Sequence, residues 1–305
     1  MNQHNKLLIT GASGFTGYHA CKHFFDSGFD VTAVSRRNGF THKGINWINC
    51  DLSHKESVKS LIKTTKPQYV LHLAGQNHVG QSWLNPVYSL EINSLSTAYL
   101  IDALRQENPS CKIVITSSAL QFDPTSISTF NHPYGLSKTI QSLIAQSFAV
   151  LYDMNVVIAK PSNLIGPGHS KGVCSIFAQK IIDMEKNKTE NVLKVNNIND
   201  QRDFLDVRDA VSAYDILLMK GKPGEIYDVS SGKSRSLGEI INILKKMTLA
   251  DFKVHSLLND EIKKDKEVEP LKLIKLNWKP AISLESSLKD ILNFYRGNDK
   301  ETSYL

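Results

Sequence analysis

Six five-residue runs, Lys6–Thr10, Val31–Ser35, Ile45–Asn49, Tyr69–Leu73, Lys112–Thr116 and Val156–Lys160, are rich in Val, Ile and Leu and sit between longer segments with helical spacing. Apolar runs of this length read as strands buried on both faces, the pattern of a parallel sheet. The intervening segments Tyr18–Asp26, His54–Thr64, Val87–Arg105 and Gly135–Asp153 are long enough for the crossover helices of right-handed βαβ units. A doubly wound α/β sheet is expected. The length of 305 residues allows about two domains. After Lys160 the rhythm loosens into a Gly166-Pro167-Gly168 loop, mixed elements and a terminal helix near Ser287–Arg296. The expected division is a first domain over 1–162, to which 196–232 returns, and a smaller C-terminal lobe over 163–305.

Composition narrows the function classes. With 41% hydrophobic and 22% charged residues the chain can bury a sizeable core. The excess of 36 basic over 30 acidic residues is dispersed, with no run of five like charges. That excludes a nucleic-acid patch and leaves a mild preference for anionic ligands. Cys21, Cys50, Cys111 and Cys174 are too far apart for a disulfide framework or a metal site, so no metal is expected and reduced, cytoplasmic thiols are. No leader or apolar 18-residue window is present, so neither export nor a membrane partner is expected.

Immediately after the first strand comes Gly11-Ala-Ser13-Gly14-Phe15-Thr-Gly17, and a helix follows. Glycines at such a junction permit a tight turn, close approach of backbone to a pyrophosphate, and close helix packing, while the helix N-terminus offers N–H groups to an anion. The strand–loop–helix context marks a dinucleotide site on a Rossmann-type sheet. The second strand ends in Ser35-Arg36-Arg37, where NAD-binding sheets usually carry an acid for the ribose 2′-hydroxyl. A guanidinium there can hold a 2′-phosphate instead, so NADP(H) is favoured over NAD(H). Asp51, followed by Leu52, is placed to meet the adenine edge, although Asp51 or Ser53 could equally cap the next helix. Leu73-Ala74-Gly75 ends the fourth strand with small residues where a flat cofactor must pass; tight packing would ask for the same residues.

Reduction of a ketone needs a proton donor, and a tyrosine is a poor one near neutrality unless a cation lowers its pKa. In Tyr134-Gly-Leu-Ser-Lys138 the two side chains share one helical face, which puts the ammonium under the phenol and within reach of a ribose. A second YxxxK, Tyr18 to Lys22, lies behind the glycine loop and is set aside by position. The fifth strand ends in Thr116-Ser117-Ser118, and a strand-end serine can complete a donor pair with the phenol.

With these residues in place the chain resembles the extended short-chain dehydrogenase/reductases, the NAD(P)-dependent nucleotide-sugar epimerases, dehydratases and reductases. The resemblance runs nearly end to end through GASGFTG (11–17), CDL (50–52), HLAGQ (72–76), TSSA (116–119), YGLSK (134–138), KPSNLIGPG (160–168), RDFLDVRD (202–209), GEIYDVSSG (224–232) and LNWKP (276–280). It implies catalytic roles for Ser118, Tyr134 and Lys138, a nucleotide-diphosphate-sugar substrate held by Asn163 and Arg202, and a sugar site lined by Asn77. It also implies a homodimer through helices 87–105 and 135–153. Within the family the motifs look most like the GDP-4-keto-6-deoxy-mannose reductases. Two departures stand out: Lys160-Pro-Ser-Asn163 replaces the frequent Arg-Pro-Phe-Asn, and only Lys263, Lys264 and Lys266 occupy the stretch where a second phosphate-binding arginine is expected. Ala119 and Leu120 follow Ser118 where dehydratases carry an acid, which argues against water elimination. The expected activity is NADPH-dependent reduction of a nucleotide-linked 4-keto-6-deoxy sugar; a 4-epimerase with retained NAD and a non-catalytic NADP-binding regulator are the alternatives.

Overall fold

The computed structural model describes residues 5–36, 42–258 and 267–297. Arg37, Lys263, Lys264 and Lys266 lie outside the described residues. The chain forms two compact units, Met1–Pro161 with Val211–Asp228, and Ser162–Ala210 with Val229–Leu305. The segment that returns to the first unit is therefore Val211–Asp228, shorter than the 196–232 read from the sequence.

The strands are β1 (Lys6–Thr10), β2 (Asp30–Ser35), β3 (Asn46–Asn49), β4 (Tyr69–His72), β5 (Lys112–Thr116), β6 (Val156–Pro161), β7 (Asn163–Ile165), β8 (Val192–Asn197), β9 (Gln201–Asp206), β10 (Ile226–Val229), β11 (Ser234–Ser236) and β12 (Lys253–Leu258). The helices are α1 (Phe15–Asp26), α2 (Lys55–Thr65), α3 (Val79–Leu84), α4 (Pro86–Leu90), α5 (Ser96–Glu107), α6 (Pro133–Leu151), α7 (Val173–Glu185), α8 (Val207–Lys220), α9 (Leu237–Lys245), α10 (Leu271–Ile274) and α11 (Leu284–Gly297).

Seven strands form the main sheet in the order β10-β6-β5-β4-β1-β2-β3. Adjacent strands from β6 to β3 pair in parallel, with Leu8 of β1 opposite Thr32 on one side and Val70 on the other. Leu8, Val34, Val70, Ile113 and Val156 pack against Val58, Ile62, Leu100, Leu104 and Ala145 from α2, α5 and α6. The alternate residues Leu7, Ile9, Val31, Leu71, Val114 and Val157 are equally buried. Burial on both faces is why these runs show no polar alternation.

From β1 the chain winds outward to β2 and β3, then crosses back to β4 and proceeds to β5 and β6 on the other side. The carboxyl ends of β1 and β4 therefore flank the switch point, where open α/β sheets bind ligands. Gly11 turns there at φ 68°, and a Cβ on it would meet Ala74 N at 2.7 Å. A Cβ on Gly17 would collide with Gly11 O, so α1 seats directly on the loop that precedes it.

The segment 87–105, expected as one helix, is helical throughout but not regular: α4 passes through a π-helical turn, Glu91–Leu95, into α5, with Asn93 fully buried. In the second unit β9 lies between β11 and β7 in a three-stranded sheet, and β12 pairs with β8. Phe177, Ile181, Phe204, Ile240, Leu244, Leu288 and Ile291 form its core. The pairing of β9 with β7 and β11 keeps 201–206 in this unit. Among the described residues no helix is long and apolar enough to cross a membrane.

The glycine geometry separates two substitutions. Gly17→Ala forces backbone apart and is expected to cost several kcal/mol, on the order of 3 or more. Gly14→Ala, whose nearest atom would be Gly11 O at 3.2 Å, should leave the melting temperature within a few degrees of the parent. Thermal denaturation of both variants by circular dichroism checks the contrast.

Candidate functional site

The glycine loop delivers backbone donors to the switch point. By helix geometry the first-turn N–H groups of α1 have no intrahelical acceptor. Gly14, the N-cap, brings no side-chain bond to them, and the first turn carries no acid. Ser13 and Gly14 are exposed and Phe15 half-buried. A helix start with no side-chain cap and no acid in its first turn fits the pyrophosphate of a dinucleotide.

At the end of β2, Ser35 is buried and Arg36 exposed. The Arg36 guanidinium donates through Nη1 to the Tyr88 hydroxyl at 2.7 Å, a partner on α4 that anchors it. Asp51 lies near enough to feel Arg36; burial pulls its carboxyl upward, but hydrogen bonds from Ser53 outweigh this and hold it low. Those bonds, from Ser53 N at 3.0 Å and Ser53 Oγ at 2.8 Å, close a turn before α2. The N-cap of α2 is His54, so neither Asp51 nor Ser53 caps that helix; the turn ends one residue too early. Leu52 is buried in the sheet core.

At the end of β4, Ala74 N donates to Thr10 Oγ1 at 3.2 Å. A Cβ on Gly75 would meet Asn93 Oδ1 at 2.9 Å and Lys138 Nζ at 3.7 Å. Packing against Asn93 thus demands a glycine at 75, while the close approach of Leu73 and Ala74 backbone demands one at 11. Asn77 follows on the surface.

Ser118, Tyr134 and Lys138 converge. The two serines after β5 differ in surroundings: Ser117 Oγ is tied to Gln121 and Ser142 at 2.6 and 2.7 Å, whereas Ser118 Oγ accepts from Leu120 N at 3.1 Å and lies close enough to the Tyr134 phenol to pull its pKa down. Tyr134 begins α6 behind Pro133, a favourable first helical residue. His132 caps the helix by accepting from Gly135 N at 2.8 Å, and Ser82 of α3 accepts from Tyr134 N at 3.0 Å. One turn on, Lys138 is 6% exposed and donates to Thr116 O at 2.8 Å and Gln141 Oε1 at 2.7 Å.

The electrostatics run against the expectation from sequence. Burial pushes the Tyr134 phenol up, and the nearby Ser118 hydroxyl only partly offsets it. Burial likewise lowers Lys138 from 10.5 to about 7. The chain's own groups therefore hold both side chains toward their neutral forms, and the phenol is not depressed by its lysine alone.

Several residues around this site were invisible to motif reasoning. Asn93 accepts from Gln76 N at 2.8 Å and donates to Gln76 O at 3.0 Å and Ser137 Oγ at 2.8 Å, clamping the segment after β4 to α6. No sequence signal singles out Asn93 among the polar residues of 87–105, although π-helical turns concentrate at functional sites.

The remaining candidates lie in the second unit. Asn163 Nδ2 donates to Asp203 O at 3.0 Å, so one of its two N–H groups ties β7 to β9. Arg202 pairs with neither Asp203 nor Asp206. Its partner is Asp200 at 3.8 Å, and 39% of its side chain remains exposed. Asp203 is taken by Ser231 and Lys233, Asp206 by Arg208 and Ser287, and Asp209 by the backbone N–H groups of Ala281 and Ile282.

Comparison with known proteins agrees with this architecture. Residues 7–230 match the model of the NAD dependent epimerase/dehydratase family. The chain is 28% identical to GDP-6-deoxy-D-mannose reductase of Pseudomonas aeruginosa over 97% of its own length and 99% of the relative's. It is 26% identical to mouse dTDP-D-glucose 4,6-dehydratase over 96% and 89%, respectively. Among solved structures, RMD from P. aeruginosa complexed with NADPH superposes with a TM-score of 0.83 at 27% identity, covering 96% of this chain and 98% of that one. Thermus thermophilus UDP-glucose 4-epimerase in complex with NAD shares the fold, with a TM-score of 0.81 at 24% identity over 95% and 99%. The glycine loop, the seven-stranded sheet and the end-to-end match agree, and the chain belongs to the NAD dependent epimerase/dehydratase family, a group of NAD(P)-dependent enzymes acting on nucleotide sugars.

Proposed function

We propose that this chain is an NADPH-dependent reductase of the C4 ketone in a nucleotide-linked 4-keto-6-deoxy sugar. The observation that carries the reading is the placing of Ser118 beside the Tyr134 phenol, with Lys138 buried one helical turn further on, in a chain whose second strand is followed by arginine rather than an acid. The reductase relative from P. aeruginosa and its NADPH complex support the same choice.

Gly11, Ser13, Gly14, Phe15 and Gly17 would hold the pyrophosphate, Ser35 and Arg36 the 2′-phosphate, Asp51 and Leu52 the adenine side, and Leu73, Ala74 and Gly75 the cofactor's floor. When bound, the reduced nicotinamide supplies a hydride. Tyr134 gives its phenolic proton to the C4 oxygen as that oxygen gains charge, and Ser118 donates a hydrogen bond to the same atom. Lys138 binds the ribose and, when charged, favours loss of the phenolic proton. Arg202, with a weak partner and an exposed fork of donors, suits the substrate diphosphate; Asn163 and Asn77 would line the rest of the site. Ala119 and Leu120 offer no acid for water elimination. We also infer a homodimer, working in the cytoplasm, through the faces carrying Leu95, Leu143, Val150 and Leu151, all exposed in the single chain.

NADPH oxidation measured against GDP-, UDP-, dTDP- and CDP-linked 4-keto-6-deoxy sugars tests the activity, with at least one substrate expected to turn over. Tyr134→Phe should keep NADPH affinity and lose about 100-fold or more in kcat. Arg36→Ala should weaken NADPH while leaving NADH nearly unchanged. Tightly retained NAD with no net NADPH oxidation would instead select a 4-epimerase.

Burying Lys138 has a stability consequence with a defined sign. The unfolded lysine keeps its proton up to about pH 10.4, whereas the folded one loses it above about pH 7. Stability therefore rises with pH across that window, and below it the folded chain carries a cost of about 5 kcal/mol. Lys138→Met should lack activity yet resist urea better than the parent at low pH, with the margin shrinking as pH rises toward 10. Urea titrations at several pH values check this. For the dimer, light scattering should report two chains for the parent and one for the Leu143→Glu/Val150→Glu double variant.

A further inference from the structure

Behind Lys138 runs a chain of buried polar side chains. Gln141 Nε2 donates to Thr97 Oγ1 at 2.8 Å, Thr97 Oγ1 donates to Asn93 O at 2.7 Å, His72 Nε2 lies 2.9 Å from Thr97 Oγ1, and His72 Nδ1 lies 2.7 Å from Thr10 Oγ1. Thr10, His72, Thr97 and Gln141 are fully buried. The links span β1, β4, α5 and α6.

The direction of every link is fixed by the first. When Lys138 is charged its ammonium can only donate, so Gln141 then presents Oε1 to Lys138 and Nε2 to Thr97. Thr97 then accepts from Gln141 and gives its own hydrogen to Asn93 O, leaving none for His72. Nε2 of His72 therefore carries the ring proton, Nδ1 accepts, and the Thr10 hydroxyl donates to it while accepting from Ala74 N. Burial, with the nearby Lys138 charge, lowers His72 to about 3, so the ring stays neutral in this one tautomer.

We propose that Gln141 is the positioning residue for Lys138, the outer link of a chain Lys138–Gln141–Thr97–His72–Thr10 that ties the ammonium to the strand bearing the glycine loop. The inference rests on reading Lys138 as the lysine that works beside Tyr134. Lys138 has three N–H bonds; the Thr116 carbonyl and Gln141 Oε1 take two and fix the axis of the third. Thr10 immediately precedes Gly11, so the same chain sets the lysine's distance from the loop that would carry the cofactor. The titratable groups nearest Lys138 are His72 on β4, which feels its charge, and Tyr134, one helical turn earlier on the same face of α6. Gln141, Thr97, Thr116 and Asn93 are uncharged, so among these groups Gln141 is the side chain that supplies the lysine with a polar acceptor.

The test is a carbon-13 NMR titration of lysine-labelled full-length protein, with the Lys138 signal identified by its loss in Lys138→Met. Gln141→Leu removes the acceptor and should lower the Lys138 titration midpoint, whereas Gln141→Glu supplies an anionic acceptor and should raise it by about one pH unit or more. NADPH affinity, read by fluorescence, should fall about tenfold in Gln141→Leu, consistent with loss of one hydrogen bond to a charged group, and recover most of that loss in Gln141→Glu. An unmoved midpoint and unchanged NADPH affinity in Gln141→Leu would overturn the proposal. Should that variant fail to fold, an unmoved midpoint in Gln141→Glu would do the same. Neither readout needs turnover. A shifted midpoint with no keto-sugar reduced would defeat the proposed reaction while leaving the positioning role standing.

Discussion

Where β1 ends, the Gly11 turn lies so close to Ala74 that a single β-carbon would not fit between them. The contact holds the ends of β1 and β4 together at the switch point, and α1 is seated by an equally close approach of Gly17 to Gly11. The polar site inherits its geometry from there. Thr10 reaches Ala74 N and His72, His72 reaches Thr97, and Thr97 reaches Gln141 beneath Lys138. The apolar sheet supplies the rigidity, and the buried polar chain passes it on to an ammonium that would otherwise swing on four methylenes.

Burial sets the electrostatic state of this site more strongly than any charge in it. It raises the phenol of Tyr134 and lowers the ammonium of Lys138 toward neutrality. Among the described residues no carboxylate forms an ion pair with Lys138, so nothing of the chain's own restores the cation fully. A positively charged ring or a polyanionic ligand arriving beside these groups would act on a lysine poised near pH 7, where a small change in surroundings alters its charge. A lysine paired to a carboxylate could not respond in this way, because the pair would keep it charged throughout.

Much of the fold was legible because both-face burial writes itself as apolar runs. β1 and β5 fall at the expected bounds, and β2, β3, β4 and β6 differ only at their ends. Tyr134 and Lys138 stand out as a pair because a helix start fixes where side chains point, whereas the choice of Ser118 over Ser117 came from the family resemblance. Other features left no such trace. The π-helical turn at Glu91–Leu95 has the same apolar spacing as a regular helix, and only the side-chain bonds of Asn93 show why it is inserted. His72, Thr97 and Gln141 look like stray polar residues in three separate elements until the sheet brings them together. The phenol's pKa moved opposite to expectation because sequence spacing reports that a lysine is near, but not how deeply both groups are buried.

RDFLDVRD shows how one short motif divides its charges. Asp203 and Asp206 lie on β9 and Asp209 in the first turn of α8, and each is spent on the second unit itself: Asp203 on the turn at Ser231, Asp206 on Arg208 and Ser287, Asp209 on the backbone at Ala281 and Ile282. Each carboxylate is satisfied by donors other than Arg202. The arginine that opens the motif is left with Asp200 at 3.8 Å, a separation at which an exposed pair contributes little. A guanidinium held on a strand, half open to solvent and only weakly paired, loses little when it exchanges that carboxylate for a phosphate. The acids of the motif thus build the strand–helix junction, and by doing so they keep its first residue available to an anion.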